Sequence, residues 1–319
     1  MKEDLIRSET WGNLLYNFEG DTFSATVISG QKPIPSSPIG IAWLIIGGCN
    51  LKCVHCYGNA EELSKVVLST NEAFHIVDKI IAARVMRVVI CGGEPLLRDD
   101  IFEIIERLVN GGVSVVLGTN GSFITSENVQ RLKICTRVEI SLDGSTSELN
   151  NKIRPSRVRN GNAWQETVRA LQLCLKHDVR LRVLTAINSQ NQGEIVQIAN
   201  RLDNVGVYDW ALSWTIPAGR ARFVFDKLRP TEEVVEENVL KAKSNYPKMT
   251  IRYSHRKEDF TRFYCLILPD GQIGTEDFAL NDKVMFGSLL KQSIQSVWNV
   301  ENYNLQHHFE KWVGNRIKW

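Results

Sequence analysis

The sequence predicts an α/β fold built on a parallel sheet. Two observations carry this reading. Apolar, β-branched-rich runs alternate with helical patterns, and several runs end in short turns that contain glycine. The first run, Gly40–Ile46, leads straight into Gly47, Gly48 and Cys49, and a helix is expected near Thr70–Ala83. Ser69 and Glu72, three residues apart, form a candidate capping box at its start. A second strand at Val88–Ile90 runs into Cys91-Gly92-Gly93-Glu94-Pro95, ahead of a helix over Ile101–Asn110. The third, Val113–Leu117, ends in Gly118-Thr119-Asn120-Gly121 before a helical pattern near Ser126–Lys133. The fourth, Arg137–Leu142, overlaps Ser141-Leu142-Asp143-Gly144 and precedes a helix over Ala163–Lys176. Leu181–Ile187, a helix near Glu194–Asp203 and Val207–Ile216 complete six strands. Ligands in such sheets sit at the carboxyl ends of the strands, where these motifs fall.

After Pro217-Ala218-Gly219-Arg220-Ala221 the pattern changes. A helix is expected over Thr231–Ser244, with Pro230 just before it, then a strand at Met249–Ser254. A strand pair around Leu268-Pro269-Asp270-Gly271-Gln272 follows, because Pro-Asp-Gly between apolar runs has the chemistry of a turn. The last expected element is a helix near Ser293–Asn299.

A chain of 319 residues with 43% apolar content buries a large core, in one barrel-sized domain or two smaller ones. Its net charge of +2 gives no argument for a nucleic-acid or membrane surface. The opening Met1-Lys2-Glu3-Asp4-Leu5 lacks the pattern of a signal peptide. The uncharged window from Pro33 to Leu51 is broken by Pro33, Pro35 and Pro38, so a loop entering a buried strand is expected there. Seven cysteines without a secretory signal point to a reducing cytoplasm.

Three of those cysteines fall within eight residues, at Cys49, Cys53 and Cys56. Thiolates suit iron–sulfur clusters and zinc. A structural zinc needs a fourth close ligand. His55 sits between Val54 and Cys56, where chelating the same ion is cramped, and no second Cys or His pair follows at zinc-finger spacing. Cys91, Cys135 and Cys174 read as core thiols.

The C-x3-C-x2-C spacing resembles the signature of the radical S-adenosylmethionine (SAM) superfamily. The resemblance extends to the Gly-Gly-Glu-Pro after the second strand and to the motifs after strands three and four, and covers residues 38 to 220 well. It implies a partial (β/α)6 barrel over residues 38–222, an N-terminal β unit over 1–37 and a small α+β C-terminal cap over 223–319. Phe286-Gly287-Ser288-Leu289 and Ile294–Trp298 make that cap similar to the SPASM/Twitch-type extensions that carry auxiliary clusters. Those extensions bring many cysteines, whereas this one has only Cys265, so an auxiliary cluster held by cysteines is not expected.

By the same resemblance, Cys49, Cys53 and Cys56 hold one [4Fe–4S] cluster whose open iron takes the amino and carboxylate groups of SAM. Reductive cleavage then yields methionine and a 5′-deoxyadenosyl radical, chemistry that the cofactor carries while the protein positions it. Gly92, Gly93 and Glu94 are candidates for the SAM ammonium, since glycines let the backbone approach closely. Ser141 and Arg154 are candidates for the ribose or carboxylate, Ser141 reading equally as a hydroxyl that serves the backbone; Asn188 is a further candidate, and His55 and Tyr57 are candidates to pack on the adenine or ordinary packing residues. Arg154 also belongs to a basic loop with Arg157 and Arg159, which reads equally as solvated surface. Cys265 is a candidate hydrogen-atom donor, as in radical epimerases, or an apolar strand residue in Phe263-Tyr264-Cys265-Leu266-Ile267. Glu276 and Asp277 are candidates for binding or deprotonating substrate, or plain surface acids.

The segment Arg7–Tyr16 looks like the N-terminal part of radical enzymes that mature ribosomal peptides, where a peptide can add as a strand to a sheet edge. It reads equally as a hairpin under the barrel. The expected activity is hydrogen-atom abstraction from a ribosomally made peptide, with a low-potential electron donor such as flavodoxin or ferredoxin. The alternatives are an epimerase or dehydrogenase of a small molecule such as an aminoglycoside, and an iron–sulfur binding or sensor protein without turnover.

Overall fold

The computed structural model describes residues 37–58 (except 39), 67–253 and 265–298 (except 278–281), together with two short strands before them. Those strands, β1 (Leu14–Asn17) and β2 (Thr22–Ala25), pair with each other antiparallel. Six further strands lie parallel and adjacent in chain order: β3 (Gly40–Ile46), β4 (Arg87–Gly92), β5 (Ser114–Thr119), β6 (Arg137–Ser141), β7 (Leu181–Ile187) and β8 (Asp209–Trp214). β9 (Thr250–Tyr253) adds parallel to β8. On the opposite flank β10 (Cys265–Ile267) pairs parallel with β3, and β11 (Gln272–Asp277) and β12 (Asp282–Ser288) continue antiparallel. The ten-stranded sheet thus runs β12-β11-β10-β3-β4-β5-β6-β7-β8-β9 and stays open as a partial barrel.

The crossovers are helical: α1 (Thr70–Ala82), α2 (Ile101–Asn110), α3 (Ser147–Ile153), α4 (Ala163–Lys176) and α5 (Ile195–Val205). A single turn α6 (Phe225–Leu228), α7 (Glu232–Asn245) and α8 (Ile294–Trp298) follow. The expected capping box closes the start of α1, with Ser69 Oγ accepting from Glu72 N at 3.3 Å and Ser69 N donating to Glu72 Oε2 at 2.8 Å. No helix of the described residues is long and apolar enough to cross a membrane.

Alternation along the strands sorts side chains into two layers. Ile41, Trp43 and Ile45 of β3, Val88 and Ile90 of β4, Val138 and Ile140 of β6 and Trp210 of β8 face the helices and join the main core. Their neighbours Ala42 and Leu44, with Leu266, Leu268, Cys91 and Met285, form a second cluster on the inner face. Trp210 is fully buried, and its Nε1–H donates to Thr185 Oγ1 at 2.9 Å. Trp210→Ala is expected to cost about 3–5 kcal/mol through lost transfer energy and a residual cavity. A chemical-denaturation midpoint unchanged from wild type would contradict this packing.

Besides the turn α6 and strand β12, which were not expected, two elements of the barrel depart from the sequence reading. The helix expected near Ser126–Lys133 is a 3₁₀ segment, Val129–Ile134. Its polar leader explains why: Asn128 Oδ1 accepts from Thr125 N at 2.9 Å and Asn128 Nδ2 donates to Phe123 O at 2.8 Å, bonds that compete with an α-helical start. Helix α3 falls where no helix was expected.

Candidate active site

The cysteine loop leaves β3 and is clamped from two sides. On one side it runs beside residues 153–157, where Lys52 N donates to Pro155 O at 2.7 Å, Val54 N to Ile153 O at 2.9 Å and Arg157 N to Asn50 O at 2.8 Å. On the other, Arg220 N donates to Cys56 O at 2.8 Å and Arg220 Nη1 to Cys53 O at 2.6 Å. Gly219 makes that approach possible. It sits at φ +54°, and a Cβ there would stand 2.5 Å from Cys56 O.

The Gly92-Gly93-Glu94 turn braces the loop from below. Gly93 N donates to Ile46 O at 2.7 Å and Glu94 N to Gly48 O at 2.8 Å. A Cβ on Gly93 would fall 1.9 Å from Gly48 O, so only glycine fits. From the third strand's turn, Asn120 Nδ2 donates to Asn50 Oδ1 at 2.7 Å and lies 3.9 Å from Cys49 Sγ, which also accepts from Leu51 N at 3.4 Å.

These elements enclose a cavity of about 430 Å3 at the carboxyl ends of the strands. Cys49, Cys53 and Cys56 all line it, and so do His55, Tyr57, Gly92, Gly93, Ser141 and Arg154. The resemblance to the superfamily assigns eleven of the twelve expected site residues to one place, and nine of those eleven line this cavity. The exceptions are Glu94 and Asn188. The Glu94 carboxylate is fully buried and already accepts from Thr119 Oγ1 at 2.6 Å, Asn120 N at 2.8 Å and Leu96 N at 3.1 Å. It stands behind the cavity wall, holding the third-strand turn. Asn188 is likewise buried and closes its own turn, accepting from Gln190 N at 2.9 Å and donating to Ala186 O at 3.2 Å.

Cys265, the twelfth, is a correction. Register places it opposite Ile41, and it packs in the helix-side core at 0% exposure, away from the cavity. A thiol there has no path to a substrate radical. Cys135 and Cys174 are core thiols as expected, both pushed up to about 12 by burial. Cys91 is a second correction: it faces inward from β4 and lines the cavity. Thr119, Asn120, Trp214 and Thr215 also line it and were not among the expected site residues. The Gly-Thr-Asn-Gly motif was a signal for the first two, whereas nothing around Thr215 marked it. The side chains of Glu276 and Asp277 and residues 7–13 lie outside the described residues.

The electrostatics centre on Asp143 and Arg154, both buried. Arg154 Nη1 donates to Asp143 Oδ2 at 2.8 Å, and His55 Nε2 lies 3.3 Å from the same oxygen. Burial opposes the Arg154 charge, but Cys53 and Asp143 outweigh it and hold the guanidinium firmly protonated. Burial pushes the Cys53 thiol up to about 12 and lifts Cys49 as well. It pushes the Glu94 carboxyl above its ordinary range against three hydrogen bonds. The His55 imidazole is held below its usual value by burial, with Asp143 pulling the other way.

The donor set fits a thiolate-held cluster with a polar, carboxylate-bearing ligand beside it. Among the described residues, no group of three His, Cys, Asp or Glu side chains is arranged as on a single metal ion. Arg154 and Thr215 both line the cavity, and Arg154 Nε and Thr215 Oγ1 are buried without a hydrogen-bond partner.

Residues 43–202 match the Radical SAM superfamily. The chain is similar to the AdoMet-dependent heme synthase of Methanosarcina barkeri, 31% identical over 188 residues, 58% of this chain and 53% of that relative. It thus spans about half the length of that protein. It is also similar to the mycofactocin maturase MftC of Mycobacterium tuberculosis, 30% identical over 281 residues, 82% of this chain and 70% of that relative. In fold it resembles Streptococcus suis SuiB bound to its precursor peptide SuiA, with a TM-score of 0.69 at 15% identity over 84% of this chain and 66% of SuiB.

Proposed function

The chain belongs to the radical SAM superfamily and is an enzyme, and from that premise we propose that it cleaves SAM reductively to modify a ribosomally made peptide. The observation that carries the SAM half is that three cysteines, the Gly92-Gly93 turn and Arg154 line one cavity. The peptide half rests on the similarity to a maturase over most of both chains.

In this reading Cys49, Cys53 and Cys56 hold a [4Fe–4S] cluster. A cluster bound there supplies one electron to the sulfonium of SAM, which gives methionine and a 5′-deoxyadenosyl radical. The main chain at Gly92 and Gly93 offers carbonyl oxygens to the SAM ammonium. Arg154 offers its guanidinium to the carboxylate, and Ser141 and Thr215 offer hydroxyls to polar groups of the nucleoside. His55 and Tyr57 cover the apolar faces of the ligand. Ala42, Leu44, Val89 and Cys91 form the inner wall, which keeps water from a reactive radical. Glu94 acts indirectly, by fixing Asn120 and the turn that meets the cysteine loop.

We read 38–222 as the catalytic barrel, 1–37 as an N-terminal unit and 223–319 as a cap. The cluster calls for a low-potential donor such as flavodoxin or ferredoxin and for the reducing conditions of cytoplasm. The test is anaerobic reconstitution followed by reduction with dithionite and addition of SAM. Release of 5′-deoxyadenosine, accelerated by a short precursor peptide encoded beside this gene, is the expected result. Acceleration by an aminoglycoside instead of the peptide would move the substrate to a small molecule. A cluster that binds SAM without cleaving it would make the protein a sensor.

A further inference from the structure

We propose that Asp143 is a positioning residue that ties the ligand-facing Arg154 to His55 of the cysteine loop, so that the SAM-binding face is set by one buried carboxylate. The proposal rests on the radical SAM reading above.

Asp143 follows β6 and is fully buried, yet every group around its carboxylate is a donor. Oδ1 accepts from Ala186 N on β7 at 2.7 Å. Oδ2 accepts from Arg154 Nη1 at 2.8 Å and stands 3.3 Å from His55 Nε2, between two of the three cysteines. Its main chain is fixed too: Asp143 N donates to Asn150 Oδ1 at 2.9 Å, and Asp143 O accepts from Asn191 Nδ2 at 3.0 Å. Two strands, helix α3 and the cysteine loop therefore meet at one residue.

A carboxylate used only for shape would be replaceable by its amide. Here the amide is the wrong group. Asn keeps one acceptor for Ala186 N but turns an NH2 toward the Arg154 guanidinium and the His55 ring, so donors face donors. Arg154 would also lose the counter-charge that offsets its burial. Arg154 lines the cavity, its Nε is buried without a partner, and its Nη1 is held by Asp143. Removing the acceptor frees the guanidinium to rotate and leaves His55 without its anchor beside Cys56. The cysteine ligands themselves are untouched, because their loop is held by main-chain bonds to residues 153–157 and 220.

The test compares reconstituted wild type, Asp143→Asn, Arg154→Lys and the double variant. Iron content, thermal unfolding, the SAM dissociation constant and the SAM-induced change in the EPR signal of the reduced cluster are measured for each. Asp143→Asn is expected to keep its iron and a single cooperative thermal transition, lowered by the lost buried ion pair, while SAM affinity falls about 10- to 100-fold, the range for residues that orient ligand-holding groups. Because Asp143 acts through Arg154, the double variant is expected to bind SAM no more weakly than the weaker single variant. SAM affinity within about twofold of wild type in Asp143→Asn, or losses that multiply in the double variant, would overturn the proposal. So would loss of iron with a collapsed thermal transition in Asp143→Asn, which would make the residue purely structural. A wild type that binds no SAM overturns the radical SAM reading itself, an outcome visible before any variant is compared.

Discussion

Cys49→Ala, Cys53→Ala and Cys56→Ala combined should leave a protein without iron–sulfur absorbance after anaerobic reconstitution, against about four irons per chain in wild type. All three thiols line one cavity, and their loop is held by main-chain bonds that alanine leaves in place. The triple variant should therefore unfold near the temperature of the wild-type apoprotein while losing all SAM cleavage. Substantial absorbance in the triple variant would mean that other cysteines hold a cluster. Cys91, which lines the same cavity, would then be the first residue to replace.

Gly93→Ala should be nearly as damaging, although it removes no ligand. The added Cβ would lie 1.9 Å from the Gly48 carbonyl oxygen, and the clashing atoms are main chain, which cannot swing away. Relief requires breaking Gly93 N–Ile46 O or Glu94 N–Gly48 O, and either break displaces the residue before Cys49. Overpacking of this kind costs about 1–3 kcal/mol or more. Iron loading and SAM binding are both expected to be lost. Gly48→Ala provides the control, since a Cβ there meets only Ile46 side-chain atoms at 3.9 Å. If Gly93→Ala loads iron as well as Gly48→Ala, the turn is not the brace described here.

Most of the barrel was legible because strands and helices differ in period and length. The runs at Gly40–Ile46 and Leu181–Ile187 and the helices over Ile101–Asn110 and Ala163–Lys176 have the boundaries their apolar patterns suggest. Helix α3 was not legible, since Ser147–Ile153 holds two apolar residues in seven and its buried Asn150 bonds to Asp143 rather than joining an apolar stripe. Polar residues buried for their hydrogen bonds look like surface in a sequence. Glu94 and Asn188 show the reverse failure. Both sit at strand ends where ligands are expected, yet protein donors and acceptors saturate them. Cys91 and Cys265 both lie in apolar strands, and only the face decides between cavity and core. For Cys91 the alternation with Val88 and Ile90 held that information. For Cys265 it lay in a pairing with Ile41 that no local pattern reveals.

That pairing bears on how the enzyme is made. β10 completes the flank of the strand that presents the cysteines, but it is encoded more than two hundred residues later. While the ribosome is still working through the helices, β3 has an open edge, and the cysteines beyond it are already outside the tunnel. Iron delivered at that stage would meet a scaffold lacking one wall. Contacts this distant in sequence form slowly. A nascent chain stopped before residue 265 should therefore be a poor acceptor of iron despite carrying every cluster cysteine, and a good target for aggregation through the uncovered strand.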